Sequence, residues 1–160
     1  MGLAAKEEHV DYTAVRQESA WALPTYIFDV DGTLAEKHPD RDICDASKAY
    51  MDLPIKPVTF IFYHIQLFAT VLVVTARMEK DRKVTEDWLH SQGVYPEKVF
   101  MRANGDNRHD NEVKEEIYLK HIKPYYTNIM GVFDDRLRVI DTWLKLGLFV
   151  FNVNNGRGEF

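Results

Sequence analysis

From Pro24 onward, short apolar runs alternate with amphipathic stretches of helical spacing. Tyr26 to Val30 is an apolar run that ends in acid and predicts a strand. Residues 35 to 56 are irregular, with one short helix expected around Ala46 to Leu53. Val58 to Ala76 contains no charged residue, a window about as long as the ~20 residues that span a bilayer. It divides better into two buried elements. Pro57 suits the first position of a helix. Val58 to Ala69 therefore reads as a buried helix carrying His64 and Gln66, and the β-branched Thr70 to Thr75 as a strand. Arg77 to Gln92 carries Val84, Trp88 and Leu89 on one helical face, with Gly93 as its stop. Val99 to Arg102 predicts a short strand and Ala103 to Arg108 a loop. Asp110 to Ile122 predicts a helix with Val113, Ile117, Leu119 and Ile122 as its apolar positions, closed by Pro124. Ile129 to Phe133 is a strand, Leu137 to Leu146 a helix stopped by Gly147, and Leu148 to Val153 the last strand.

Strand and helix thus alternate from residue 26 to the end, which implies an α/β fold: a doubly wound parallel sheet joined by right-handed crossovers. Residues 26–160 form one domain on this reading. Residues 1–25 hold Val10, Tyr12, Val15, Trp21 and Leu23 among charged positions and read as an N-terminal arm or amphipathic helix. A helix as apolar as 58–69 overfills the core of a chain of 160 residues, so a homo-oligomer is expected. With 46% hydrophobic and 28% charged residues, the chain is globular rather than disordered. Cys44 is the one cysteine, which excludes an internal disulfide and a cysteine-built zinc site and points to a reducing, cytoplasmic setting. MGLAAKEEHV becomes charged before a signal peptide can form. The net charge of −5 argues against a surface that is basic throughout, while leaving room for a local basic groove.

Functional groups of such sheets collect beyond the carboxyl ends of the strands. Those ends read Asp29-Val30-Asp31-Gly32-Thr33, Thr75-Ala76-Arg77, Met101-Arg102 and Asp134-Asp135-Arg136. Four carboxylates at one edge repel one another unless a cation intervenes, and hard oxygen ligands favour magnesium (Mg2+). A cation beside arginines is also what a phosphate group needs. Asp29 and Asp31 are two apart and face the same pocket. One can attack phosphorus, and its neighbour can protonate the leaving oxygen and then activate water. Each residue has a plainer reading. Asp31-Gly32 is a turn dipeptide, Asp134 or Asp135 a helix cap, Thr75 a strand residue or cap, and Lys114 a solvated lysine among Glu112, Glu115 and Glu116. The coincidence of matching groups at three further strand ends favours chemistry. His64 reads as a core histidine, His109 and His121 as surface groups, and Cys44 as inert.

In order, spacing and strand context, Asp29-Val30-Asp31-Gly32-Thr33, Thr75, Lys114 and Asp134-Asp135 resemble the four motifs of the haloacid dehalogenase (HAD) superfamily of phosphohydrolases. Closer still, Tyr26 to Phe160 resembles the 3′-phosphatase domain of bacteriophage polynucleotide kinase/phosphatases, in IFDVDGTLA, VLVVTAR, the stretch from Arg102 to Lys114, VKEEIYLKHI and FDDR. The resemblance implies a Rossmann-like HAD fold, Asp29 as nucleophile and Asp31 as general acid and base. It implies Thr75 and Lys114 as phosphate binders. Magnesium would be held by Asp29, the backbone carbonyl of Asp31, and Asp134, with Asp135 in support. The closer family adds Arg77, Arg102, Asp110 and Arg41 as substrate-site positions.

The implied activity is removal of a 3′-phosphate from nucleic-acid ends, as in nucleic-acid repair, within the host cytoplasm for a phage-encoded protein. No GxxxxGK[ST] occurs in these residues, so the kinase motif is absent from them. Thr33 to Thr70 and Ala76 to Lys114 leave little chain for a cap domain, so the site is essentially uncapped and open to a polymer end. Arg77, Arg102, Arg108, Arg136 and Arg157 are available for a basic rim. Two other readings use the same residues or the same fold: a phosphatase of small nucleotides, and a non-enzymatic binding module.

Overall fold

The computed structural model describes residues 23–42 and 45–156. Most of the expected N-terminal arm, Cys44 and Arg157 lie outside the described residues. Strand β1 (Thr25–Phe28) leads to a small antiparallel ribbon, β2 (Ala35–Glu36) with β3 (Leu53–Pro54), which brackets a 3-10 turn at Ala46–Met51. Then follow α1 (Lys56–Ile65), β4 (Thr70–Met78), α2 (Arg82–Ser91), β5 (Lys98–Arg102), α3 (Asp110–Ile117), β6 (Ile129–Asp134), α4 (Leu137–Lys145) and β7 (Val150–Asn152). The main sheet has the order β5-β4-β1-β6-β7, and all its pairings are parallel. This is the Rossmann-like α/β fold of the HAD class.

Side-chain alternation divides the core into two layers. Phe28, Val71, Val73 and Phe133 pack on one face with Val58 and Phe62 of α1 and Trp88 and Leu89 of α2. Ile27, Leu72, Val74 and Val132 pack on the other with Val113 and Ile117 of α3 and Val139 and Trp143 of α4. Rings of Phe28, Phe133 and Phe151 stack across three neighbouring strands, with centroids 4.2 and 4.4 Å apart.

The structure corrects the sequence reading at three places. Strand β4 does not stop at Thr75. A register shift between Thr75 and Met78 lets Met78 pair with Arg102, so Arg77 belongs to the strand. Helix α2 starts only at Arg82, after a 3-10 turn over Glu79–Asp81. The apolar helix is not a buried one. Only Val58, Thr59 and Phe62 of α1 are buried, while Phe60, Ile61, Tyr63, Leu67 and Phe68 are exposed. A helix lying on a sheet turns one stripe toward it whatever the composition of the other side. His64 falls on the outer side, where its Nδ1 pairs with the Phe60 carbonyl at 2.8 Å, so it is not a core histidine. The third difference follows Ile117, where the helix loosens into a π turn over Tyr118–Ile122 and Leu119 faces outward. Among the described residues no helix is long and apolar enough to cross a membrane.

These assignments separate two phenylalanines of one helix. Phe62→Ala is expected to lower stability by about 3–5 kcal/mol in urea denaturation, the usual cost of emptying a buried aromatic site. Phe60→Ala, on the exposed side, is expected to change it by less than about 0.5 kcal/mol.

Candidate active site

The site is built where β1 leaves the sheet. Asp29 continues the parallel ladder by donating its N–H to the Phe133 carbonyl at 3.0 Å. The chain then turns sharply, the Val30 carbonyl accepting from Thr33, Leu34 and Ala35. Gly32 sits at φ +88°, and a Cβ there would fall 2.0 Å from Oδ2 of Asp135. Both the turn and the close approach of that carboxylate therefore require glycine.

Asp29, Asp134 and Asp135 are buried and offer carboxylate oxygens that lie within 4.8 Å of one another. Lys114 reaches them from α3, its Nζ 2.7 Å from Oδ1 of Asp29 and 2.8 Å from Oδ2 of Asp134. It is buried in this contact, not solvated among its glutamates. Asp134 also accepts from Nε1 of Trp143 at 3.1 Å and from the Arg136 N–H at 3.1 Å. Asp135 accepts from the Thr33 hydroxyl at 3.3 Å.

One lysine does not balance three acids. Burial first, and then the charges of Asp134 and Asp135, push Asp29 up to about 8 against the pull of Lys114. Burial and Asp134 likewise raise Asp135. Although burial disfavours its charge, Lys114 is held well above the usual lysine range by Asp134 and Asp29. An oxygen-only donor set with surplus negative charge fits a magnesium ion.

Asp31 turns the other way, into a fork of two arginines. Arg77 donates from Nε to Oδ2 at 2.8 Å and from Nη2 to Oδ1 at 2.7 Å, and Arg41 adds Nη2 to Oδ1 at 3.2 Å. These contacts outweigh burial and hold Asp31 below the usual carboxylate range. The arginines are tied together from behind by Asp52, which was not among the residues expected from sequence. It accepts Nε and Nη2 of Arg41 at 2.8 and 2.9 Å and Nη2 of Arg77 at 2.9 Å, and its side chain is fully buried. Two carboxylates and two guanidiniums thus alternate in a neutral square, buried at Asp52 and the arginines and open to the cavity at Asp31. No motif marks Asp52. It lies in the polar stretch before α1, and only the tertiary fold brings it beneath the site.

A cavity of about 630 Å³ opens above these groups and is lined by Asp29, Asp31, Arg41, Arg77 and Lys114, among others. Thr75 is wholly buried behind Ala76 and Arg77, its hydroxyl accepting the Arg77 N–H at 3.2 Å. Arg102 lines the outer wall. Its Nε donates to the Ala76 carbonyl at 2.9 Å, and its Nη1 to the carbonyls of Asp106 and Arg108 at 3.1 and 2.6 Å. Asp110, at the start of α3, is buried and paired with Arg136, which also faces the cavity. The expected basic rim is narrower than its sequence suggested. Arg108 is exposed and neutralised at 2.6 Å each by Asp106 of its own loop and Glu116 of α3.

The Asp29–Gly32 turn answered by Lys114 and Asp134 from neighbouring elements defines a phosphohydrolase of the HAD class. Residues 24–160 match the family described as the polynucleotide kinase PNKP phosphatase domain, and the chain belongs to that family. It is a phosphatase, hydrolysing phosphomonoesters. Two solved structures are similar to it. A chain of the Pnkp1/Rnl/Hen1 RNA repair complex superposes with a TM-score of 0.77 at 31% identity, covering 81% of this chain and 42% of its own. A chain from a second Pnkp1/Rnl/Hen1 complex gives 0.75 at 28% identity, covering 84% of this chain and 47% of its own. This chain therefore spans less than half the length of either.

Removing Asp52 leaves two buried guanidiniums without their shared anion. Asp52→Ala is expected to cost about 3–5 kcal/mol in chemical denaturation. Phosphate release from p-nitrophenyl phosphate by the folded fraction should fall roughly 100-fold, because Asp31 loses its fixed frame.

Proposed function

We propose that the protein removes the 3′-phosphate from polynucleotide ends through a phosphoaspartate on Asp29. The observation that carries the substrate reading is Arg102. Its guanidinium is oriented by three backbone carbonyls rather than by a carboxylate, and its Nη2 makes no hydrogen bond among the described residues. A planar cation fixed on a cavity wall, with no carboxylate hydrogen-bonded to it, suits a second phosphate. A polymer end supplies one at its adjoining internucleotide linkage. The similarity to chains of an RNA repair complex supports the same class. Location in the cytoplasm and self-association through the exposed side of α1 belong to this reading, the latter supported by Phe60, Ile61, Leu67 and Phe68 standing in solvent.

Asp29 attacks phosphorus while Lys114 and the Thr75 hydroxyl hold phosphoryl oxygens. A bound magnesium ion would be held by Asp29 and Asp134, with Asp135 and the Asp31 backbone carbonyl in support, and would draw charge from the phosphoryl oxygens. The bond from phosphorus to the 3′-oxygen breaks as Asp31 delivers a proton to that oxygen. In the substrate-free site the arginines keep Asp31 ionised, and an incoming phosphate weakens their hold and raises its affinity for a proton. Asp31, now a carboxylate again, takes a proton from water. The water oxygen attacks the phosphoaspartate, inorganic phosphate leaves and Asp29 is restored. Arg41 and Arg77 steady Asp31, and Asp110 steadies Arg136 at the cavity wall.

A phosphate-release screen tests the substrate class. A 3′-phosphorylated oligonucleotide is expected to outrun 3′- and 5′-mononucleotides and p-nitrophenyl phosphate. Arg102→Ala is expected to lower kcat/KM for the oligonucleotide by roughly tenfold or more, the worth of a charge-assisted contact, and to affect p-nitrophenyl phosphate far less. A preference for free mononucleotides would replace the polynucleotide reading with a small-nucleotide phosphatase.

The chemistry has its own check. EDTA should abolish phosphate release and magnesium should restore it. Asp29→Asn should stay folded and lose turnover. Acid-quenched reactions of the wild type should carry the phosphoryl group on Asp29, and finding it on another residue would overturn the assignment.

A further inference from the structure

Asp81 occupies the N-cap position of α2, where an aspartate ordinarily accepts a backbone N–H of the first turn. It makes no such bond here. The residue is 8% exposed and lines the same cavity as Asp31, and no hydrogen bond or ion pair engages its carboxylate among the described residues. With neither its cap bond nor a cation, this carboxylate keeps its acceptor oxygens free on the cavity side. It also repels the phosphates that the cavity receives. A donor on the substrate would satisfy it, and that donor must be neutral or positive.

The position narrows the donor. Asp81 lies one helical turn before Thr85, whose hydroxyl accepts from Nη1 of Arg77 at 3.4 Å, and Arg77 in turn grips Asp31. Asp81 is therefore on the Arg77 side of the cavity, the side of the acid that must meet the 3′-oxygen. The donor nearest a 3′-oxygen is the 2′-hydroxyl on the adjacent ribose carbon. Base N–H groups lie farther out, beyond the sugar.

Resting on the 3′-end reading above, we propose that Asp81 accepts a hydrogen bond from the 2′-hydroxyl of the terminal nucleotide. The enzyme then favours ribonucleotide over deoxyribonucleotide 3′-phosphate ends. The 2′-hydroxyl is the group by which a protein tells RNA from DNA at a given position. A carboxylate acceptor pays that hydroxyl more than a neutral one does.

The test uses one oligonucleotide sequence in two versions, which differ only in a ribose or deoxyribose at the 3′-phosphorylated terminal nucleotide. For the wild type, kcat/KM should favour the ribose end by roughly 10- to 100-fold, the range of a hydrogen bond to a charged group. In Asp81→Asn and Asp81→Ala this ratio should collapse toward about one. A structural role for Asp81 would lower both rates and preserve the ratio, which overturns the proposal. A wild type that treats the two ends alike overturns it as well. So does a loss in the variants that tracks the identity of the terminal base rather than its sugar. If the wild type cleaves p-nitrophenyl phosphate but neither oligonucleotide, the 3′-end reading fails and this proposal falls with it. That result is distinguishable from the others by the wild type alone.

Discussion

Lys114 stands between Asp29 and Asp134, and its buried ammonium is the charge around which the rest of the site is arranged. The sheet brings Asp29 from β1 to the edge beside Asp134, at the end of β6, and the adjacent Asp135, because these strands are neighbours in parallel register. Without a cation those acids would repel one another in a medium that screens poorly. Helix α3 supplies one positive charge through an ion pair that is buried on both sides. It leaves negative charge in surplus, which raises the affinity of Asp29 for a proton and suits the edge to a divalent ion.

A second device, built on the same principle, isolates Asp31. The two acids of the Asp29-Val30-Asp31 turn share a cavity but not an electrostatic environment. Asp29 faces acids and a single lysine and is driven up, while Asp31 faces Arg41 and Arg77 and is driven down. Neighbouring carboxylates with opposed environments are suited to different tasks in one reaction. The separation depends on Asp52, which neutralises the arginines from behind and fixes their forks, so that Asp31 meets them at a set angle.

The cavity extends this division of charge outward. Lys114 lines its floor, and its wall carries Arg102, braced by backbone carbonyls. Asp81 lines the same cavity with the opposite charge and no cap to hold. A pocket lined on one side by a fixed cation and on another by an unpartnered acid is shaped for a ligand that is itself part anion and part neutral donor. A nucleotide end has that character.

Much of this was legible in the amino-acid sequence. Apolar runs and helical spacing located the five parallel strands and their helices, because a doubly covered sheet requires nearly continuous apolar strands. The acids at strand ends, Lys114, and the DVDGT and DD motifs marked residues that the fold gathers at one edge of the sheet. Three things were decided by the tertiary structure alone. The outer side of α1 is apolar yet exposed, since burial depends on which stripe meets the sheet and not on composition. β4 runs on through Arg77 because its partner strand extends that far and a bulge corrects the register. Asp52 and Asp81 acquire their places only through packing, one beneath two arginines and the other at the cavity lining without a cap bond to its own helix. Local pattern reports what a residue can do. Which side chain loses its water, and beside which charge, depends on contacts between segments far apart in the chain, and those no local pattern encodes.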